Sequence, residues 1–130
     1  MERGFSFPGK ERLKRRDDIR EVFRNANRIG ESRVVSCPGV KLFTLRNGLS
    51  HNRIAFAFPR KYGTAVERNR SRRLSREAYR LMRKELRKGF DLVLLVYPGR
   101  DDFSTRTDQL KGLFSRAGLI DSFFERESPI

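Results

Sequence analysis

The chain has 130 residues, with 30 Lys and Arg against 16 Asp and Glu, a formal charge of +14 and a pI near 11.1. That length makes one domain, residues 1–130, and 37% hydrophobic residues with 11 Phe and no Trp suffice for a modest core, which excludes a disordered chain. The charge directs encounter toward polyanions, the single Cys37 excludes an intramolecular disulfide, and no membrane-length apolar run or signal-peptide pattern stands out. A cytoplasmic protein with no membrane or small-molecule partner is expected.

Residues 1–10 read as irregular or mobile, since Gly4, Pro8 and Gly9 interrupt any period. Asp17 or Asp18 can cap a first helix, whose Ile19, Val22, Phe23 and Ala26 have the spacing of a packed face, with Gly30 just past its end. Residues 31–39 are hard to assign, and Pro38-Gly39 marks a turn or a strand edge. Val40 to Arg46 alternates as a strand, Asn47-Gly48 is a turn dipeptide, and Leu49 to Asn52 reads as a loop. Arg53 to Phe58 forms another strand, with Ile54, Phe56 and Phe58 on the core face. Its other face, Ala55 and Ala57, leaves room for a helix or a ligand to lie against the sheet.

The next stretch is the most informative. Thr64 and Glu67 form a capping box, and helix formers then run to Lys88, with Gly89 as the stop. Leu74, Ala78, Leu81 and Met82 make an apolar stripe, while Arg68, Arg72, Arg76, Arg80, Arg83 and Arg87 fall on the other face. Between Arg68 and Lys88, ten basic residues accompany two acidic ones. A solvated helix face usually mixes signs to gain i,i+4 pairs of about 0.2–0.5 kcal/mol, but here Arg68/Arg72, Arg72/Arg76 and Arg76/Arg80 repel. Guanidinium forks also grip phosphate bidentately, as lysines do not. The stretch therefore reads as a nucleic-acid-binding helix.

Asp91 to Tyr97 is an almost unbroken apolar run, the pattern of a strand covered on both faces, and Pro98-Gly99 ends it. A last helix begins near Ser104, carries Leu110, Leu113, Phe114 and Ala117, and closes at Gly118. Residues 120–130 are expected to be irregular or mobile. The order, helix, two or three strands, basic helix, strand, helix, predicts an α+β sandwich of sheet and helices.

No catalytic set stands out. His51 sits in a turn, and Cys37 has no histidine near it in sequence. Asp101 and Asp102 are the metal ligands a stand-alone nuclease would use, yet adjacent carboxylates before a helix more often cap it. If the chain serves hydrolysis, the catalyst lies elsewhere.

The run Arg68-Asn69-Arg70-Ser71-Arg72-Arg73-Leu74-Ser75-Arg76-Glu77-Ala78-Tyr79, preceded by Arg60-Lys61-Tyr62-Gly63-Thr64-Ala65-Val66, closely resembles the signature of the bacterial ribonuclease P protein component. That signature is a strand ending in two basic residues, then Gly, a capping residue, Ala-Val and an Arg-Asn-Arg helix start. Residues 11–23 resemble the opening of the same family, with Ile19 where an aromatic is common and Phe23 keeping the second aromatic. The resemblance spans roughly residues 11–117.

The resemblance implies a single-domain α/β sandwich of order αβββαβα. Its βαβ crossover would be left-handed, against the usual right-handed rule, as in a domain of elongation factor G and a small-subunit ribosomal protein. It also implies a catalytic RNA that performs Mg²⁺-dependent removal of the 5′ leader from precursor tRNA, with no catalytic residue on the protein. Arg68, Asn69, Arg70, Arg72, Arg73 and Arg76 match motif positions that dock on that RNA and organise nearby metal ions. An RNA-shared Mg²⁺ near Arg68-Asn69-Arg70 has no firm protein ligand; Arg72 stands where lysine is common. A cleft between the first helix and the open sheet face would hold the leader, which points to Ile19, Phe23 and Phe43, with Arg60 and Lys61 following the backbone. Periodicity alone assigns Phe23 and Phe43 equally well to the core. A basic ribosomal or RNA-chaperone protein with no part in tRNA processing would carry a similar helix.

Overall fold

The computed structural model describes residues 8–25, 32–99 and 101–120. Strand β4 (Phe90–Val96) is the centre of a four-stranded sheet. It lies antiparallel to β2 (Val40–Arg46) on one side and parallel to β3 (Arg53–Ala57) on the other, and β1 (Arg33–Cys37) pairs outside β2. Helices α1 (Arg16–Asn25), α2 (Ala65–Met82) and α3 (Phe103–Arg116) complete the order αβββαβα. The chain is a single α+β domain, as expected.

Six of the seven β4 residues are buried, which is what an unbroken apolar run between two layers requires. Leu92, Leu94 and Val96 face α2 and α3 in the main core, with Leu42, Ile54, Tyr79, Leu110, Leu113 and Phe114. Val93 faces the other way, into a smaller cluster with Leu13 and Val22 that Ile19, Phe43, Leu45, Ala55 and Ala57 border. Helix α1 thus lies over β2 and β4, and the small alanine face of β3 only borders the cluster beneath it. The thinness of this second layer leaves α1 held by far less apolar burial than α2 and α3.

One open assignment is settled, and several local expectations need correction. Residues 33–37 do form a strand: β1 turns into β2 with Cys37 opposite Val40, because Pro38 restricts φ and Gly39 adopts φ +93°. Asp17 and Asp18 lie inside the first turn of α1, not at its cap, where they still complement the helix dipole. Helix α2 ends at Met82, not Lys88; a 3-10 turn at Arg83–Glu85 follows, and Leu86 turns back into the core. Gly89, at φ +98°, serves the turn into β4 instead of stopping the helix. Ile120 is buried in the main core and not part of a mobile tail. The expectations for Ala26, Gly30, residues 1–7 and residues 121–130 lie outside the described residues.

The largest correction concerns the rotation of α2. Its buried stripe is Ser71, Ser75, Ala78, Tyr79 and Met82, while Leu81 is 54% exposed. Two serines take the place expected of leucine because α3 delivers a buried arginine there. Arg106 donates to Ser75 Oγ and Asp101 Oδ1, and Ser71 Oγ donates to Asp101.

Candidate RNA interface

The capping box that starts α2 is present in both directions: Glu67 N donates to Thr64 Oγ1 at 3.1 Å, and Thr64 N donates to the Glu67 carboxylate at 3.0 Å. Glu67 is thus turned to the backbone, and among the described residues no arginine forms an ion pair with it. Asn69, Arg70 and Arg73 project outward, while Arg68, Arg72 and Arg76 are half-buried at the flank. Arg68 donates to Gly63 O at 3.2 Å, and its Nε is buried without a partner among the described residues. Arg72 donates to Asn69 Oδ1 at 3.2 Å. Among the described residues, none of these five arginines pairs with a carboxylate.

The C-terminal half of the arginine row is different. Arg80 is held bidentately by Glu77, and Arg83 donates from Nη1 to both carboxylate oxygens of Glu11 in the N-terminal segment. Arg87 donates to Gly118 O. The basic face read from the sequence is therefore left without carboxylate partners at the five motif arginines of its first three turns, and is partly neutralised at Arg80 and Arg83.

Arg76 has its pKa lowered, chiefly by burial and then by the Arg12 and Arg72 guanidinium groups. These three arginines, with Lys14, line an open groove of about 290 Å³ along the outer edge of β3. Ile19, Ile54, Ala55 and Phe56 form its floor and far wall. Nothing in the sequence around Arg12 and Lys14 marks them for this place. They reach the groove because residues 12–13 bridge to β3, with Leu13 N donating to Ile54 O at 2.9 Å.

Ile19, Phe23 and Phe43 do come together. Phe23 and Phe43 meet edge to face with ring centroids 4.7 Å apart, and Phe23 remains 39% exposed. Ile19 and Phe43 border the smaller core, and Phe23 packs on Phe43 while facing solvent, so the two readings of these rings are compatible. The next row of the sheet, Ser36, Lys41, Leu95 and Ala57 by register, has no fully buried member. Lys41 Nζ lies 5.9 Å from the Phe43 ring centre. Arg60 and Lys61 are exposed in the turn after β3, closed by Tyr62 N donating to Pro59 O, and among the described residues no hydrogen bond or ion pair joins them to the aromatic pair. The groove is the link: it touches Ile19 at one wall and Arg72 and Arg76 at the other.

The remaining candidates are accounted for. Asp102 caps α3 by accepting from Thr105 N at 2.8 Å, and Asp101 is engaged by Arg106 and Ser71. His51 sits in the β2–β3 loop, where its carbonyl accepts from Asn47. Burial raises the pKa of the half-buried Cys37 thiol, opposite to what a reactive cysteine needs. Among the described residues, no three His, Cys, Asp or Glu side chains converge as a metal site.

The family model described as Ribonuclease P matches residues 7–118. A ribonuclease P protein component from Dictyoglomus thermophilum is 35% identical over 120 residues, covering 89% of this chain and 95% of the relative. The corresponding protein of Natranaerobius thermophilus is 40% identical over 84 residues, covering 65% of this chain and 68% of that one. The RNase P protein from Thermotoga maritima superposes with a TM-score of 0.69 at 28% identity, over 82% of this chain and 96% of that structure. The Staphylococcus aureus protein, at 18% identity and a TM-score of 0.69 over 85% of this chain and 98% of that one, shares the fold. On the match along most of its length, set beside the Arg68–Arg76 flank at the start of α2, this chain belongs to the ribonuclease P protein family.

Proposed function

We propose that the chain is the protein subunit of ribonuclease P, and that it binds two partners: the catalytic RNA and the 5′ leader of precursor tRNA. The observation that carries this reading is the division of the α2 arginines. Beyond the motif, Arg80 and Arg83 are paired with Glu77 and Glu11, while Arg68, Arg70, Arg72, Arg73 and Arg76 have no carboxylate partner among the described residues. A row of like charges four residues apart destabilises a free helix and is relieved by phosphates lying along it. The deep groove of A-form RNA is closed to side chains, so docking is by shape and phosphate contacts.

The leader lies, on this reading, against Phe23 and Phe43 and the uncovered row beyond them, with Arg60 and Lys61 following its backbone. Stacking on an aromatic is worth about 1–3 kcal/mol per base, so two such contacts separate precursor from leaderless product by orders of magnitude. Ile19 packs beside them without stacking.

Phosphodiester cleavage itself belongs to the RNA, with Mg²⁺ held mainly there. The described protein residues do not fit a metal site of their own, since both aspartates that suggested one are otherwise engaged. The chain's share of the reaction is to hold substrate and RNA in register. No described helix is long and apolar enough to cross a membrane, and the reading includes a cytoplasmic setting.

Reconstitution tests this function. The purified chain should leave precursor tRNA intact by itself and restore cleavage by the catalytic RNA at low Mg²⁺. Cleavage by a rigorously RNA-free preparation, or equal affinity for leader-bearing and leaderless tRNA in the reconstituted complex, overturns it.

A further inference from the structure

Phe58 follows β3 on the same face as Ile54 and Phe56, and its alternation marks it as core filler. Its ring does border the main core, but it also has a second neighbour. The Arg72 guanidinium carbon sits 4.9 Å from the Phe58 ring centre. Tyr62, 8% exposed, meets the same ring edge to face with centroids 5.0 Å apart. The same guanidinium donates Nη1 to Asn69 Oδ1 at 3.2 Å. Arg72 is thus held by a ring beside its guanidinium carbon and an amide at Nη1. No other protein group takes its remaining donors among the described residues, and it lines the groove beside Arg76.

An arginine on an exposed helix face ordinarily samples many rotamers and gives up that freedom on binding. Stacking on an aromatic removes part of the freedom beforehand and leaves the edge of the fork available, because a guanidinium uses its face for the ring and its N–H rim for phosphate. A lysine cannot do this: its ammonium has no flat face to lay on the ring.

We propose that Phe58, braced by Tyr62, is a positioning residue for RNA docking, holding the Arg72 fork pre-oriented toward a phosphate in the groove. This rests on the reading of α2 as the RNA-binding helix. A pre-oriented contact of this kind contributes about two- to fivefold in affinity, the range of an exposed cation–π pair.

A double-mutant cycle tests it, with the full chain titrated against a transcript of the catalytic RNA at several salt concentrations. Phe58→Leu should weaken binding about two- to fivefold, Arg72→Ala should weaken it further, and the pair together should be no weaker than Arg72→Ala alone. Phe58→Tyr, which keeps the ring, should retain affinity. Arg72→Lys should lose affinity in the natural background and lose nothing more beside Phe58→Leu. Thermal melts of every variant separate these effects from loss of core packing. Strictly additive losses from Phe58→Leu and Arg72→Ala overturn the positioning role and leave the function intact. Unchanged affinity and salt slope for Arg72→Ala remove Arg72 from the RNA interface, which overturns the parent reading at that residue as well.

Discussion

Arg106, with only 2% of its side chain exposed, places Nη2 2.6 Å from the Asp101 carboxylate and Nη1 2.5 Å from Ser75 Oγ. This pair joins the start of α3 to the buried side of α2, directly behind the arginines that face out. A buried pair is weak as a source of stability but costly to break, because the surviving charge is stranded. Asp101→Ala should therefore destabilise the fold by about 3–5 kcal/mol in denaturant titrations. Adding Arg106→Met should recover much of the loss. A cost below about 1 kcal/mol for Asp101→Ala would show that the pair does not hold α2 in place.

Arg70 and Arg73 are exposed, and neither pairs with a carboxylate among the described residues. Replacing either by Ala should leave the melting temperature unchanged and shallow the log–log salt dependence of RNA binding by about 0.7–0.9 for each phosphate it no longer neutralises. Arg80→Ala, which breaks an internal pair with Glu77, should change the slope much less. Equal slopes for all three variants would contradict the division of the helix.

Phe23 is the ring of the aromatic pair that solvent reaches. Phe23→Ala should reduce the preference of the reconstituted enzyme for leader-bearing over leaderless tRNA by roughly tenfold, on the scale of one base stack. Its cost in stability should stay below the roughly 3–5 kcal/mol of a buried phenylalanine. Competition binding beside a thermal melt reads both quantities; a large melt shift with unchanged preference would return Phe23 to the core alone.

The buried Tyr79 phenol has its pKa raised, first by burial and then by the nearby Glu11 carboxylate, with Arg83 opposing. Its charged form is disfavoured in the folded chain, so the unfolded chain gives up this proton at lower pH. The stabilisation is fully present below the unfolded pKa of about 10 and is lost as pH rises through and above it. Melts between about pH 9 and 11 should show a fall in stability that Tyr79→Phe diminishes. An identical alkaline fall in that variant would assign the effect to other groups.

The tether of α1 makes a further prediction. Arg53 grips Asp91 with Nε and Nη2 at 2.8 and 2.7 Å, and its Nη1 lies 3.7 Å from Asp18 on α1. Asp18→Asn should barely alter stability, since the pair is partly exposed. It should loosen α1 over the sheet, measurable as faster amide exchange across Ile19–Phe23 with exchange in β4 unchanged.

Local chemistry was legible without a fold. The Thr64–Glu67 box, the Pro38-Gly39 turn, the two-faced burial of β4 and the arginine-dense start of α2 each follow from residues within a few positions of one another, where propensity and hydrogen-bonding geometry act directly. The Arg-Asn-Arg run likewise pointed to the flank that the protein leaves without carboxylate partners. Tertiary structure decided what depends on partners distant in the chain. Glu11 neutralises Arg83 across 72 positions, Arg106 makes a buried stripe of Ser71 and Ser75 while leaving Leu81 outside, and the bridge from residues 12–13 to β3 brings Arg12 and Lys14 to Arg72 and Arg76. Hydrophobic periodicity scores each side chain as though its neighbours were average. It therefore misjudges a helix whose inner face is satisfied by a charge, and a row of charges of which only half is answered from within the protein.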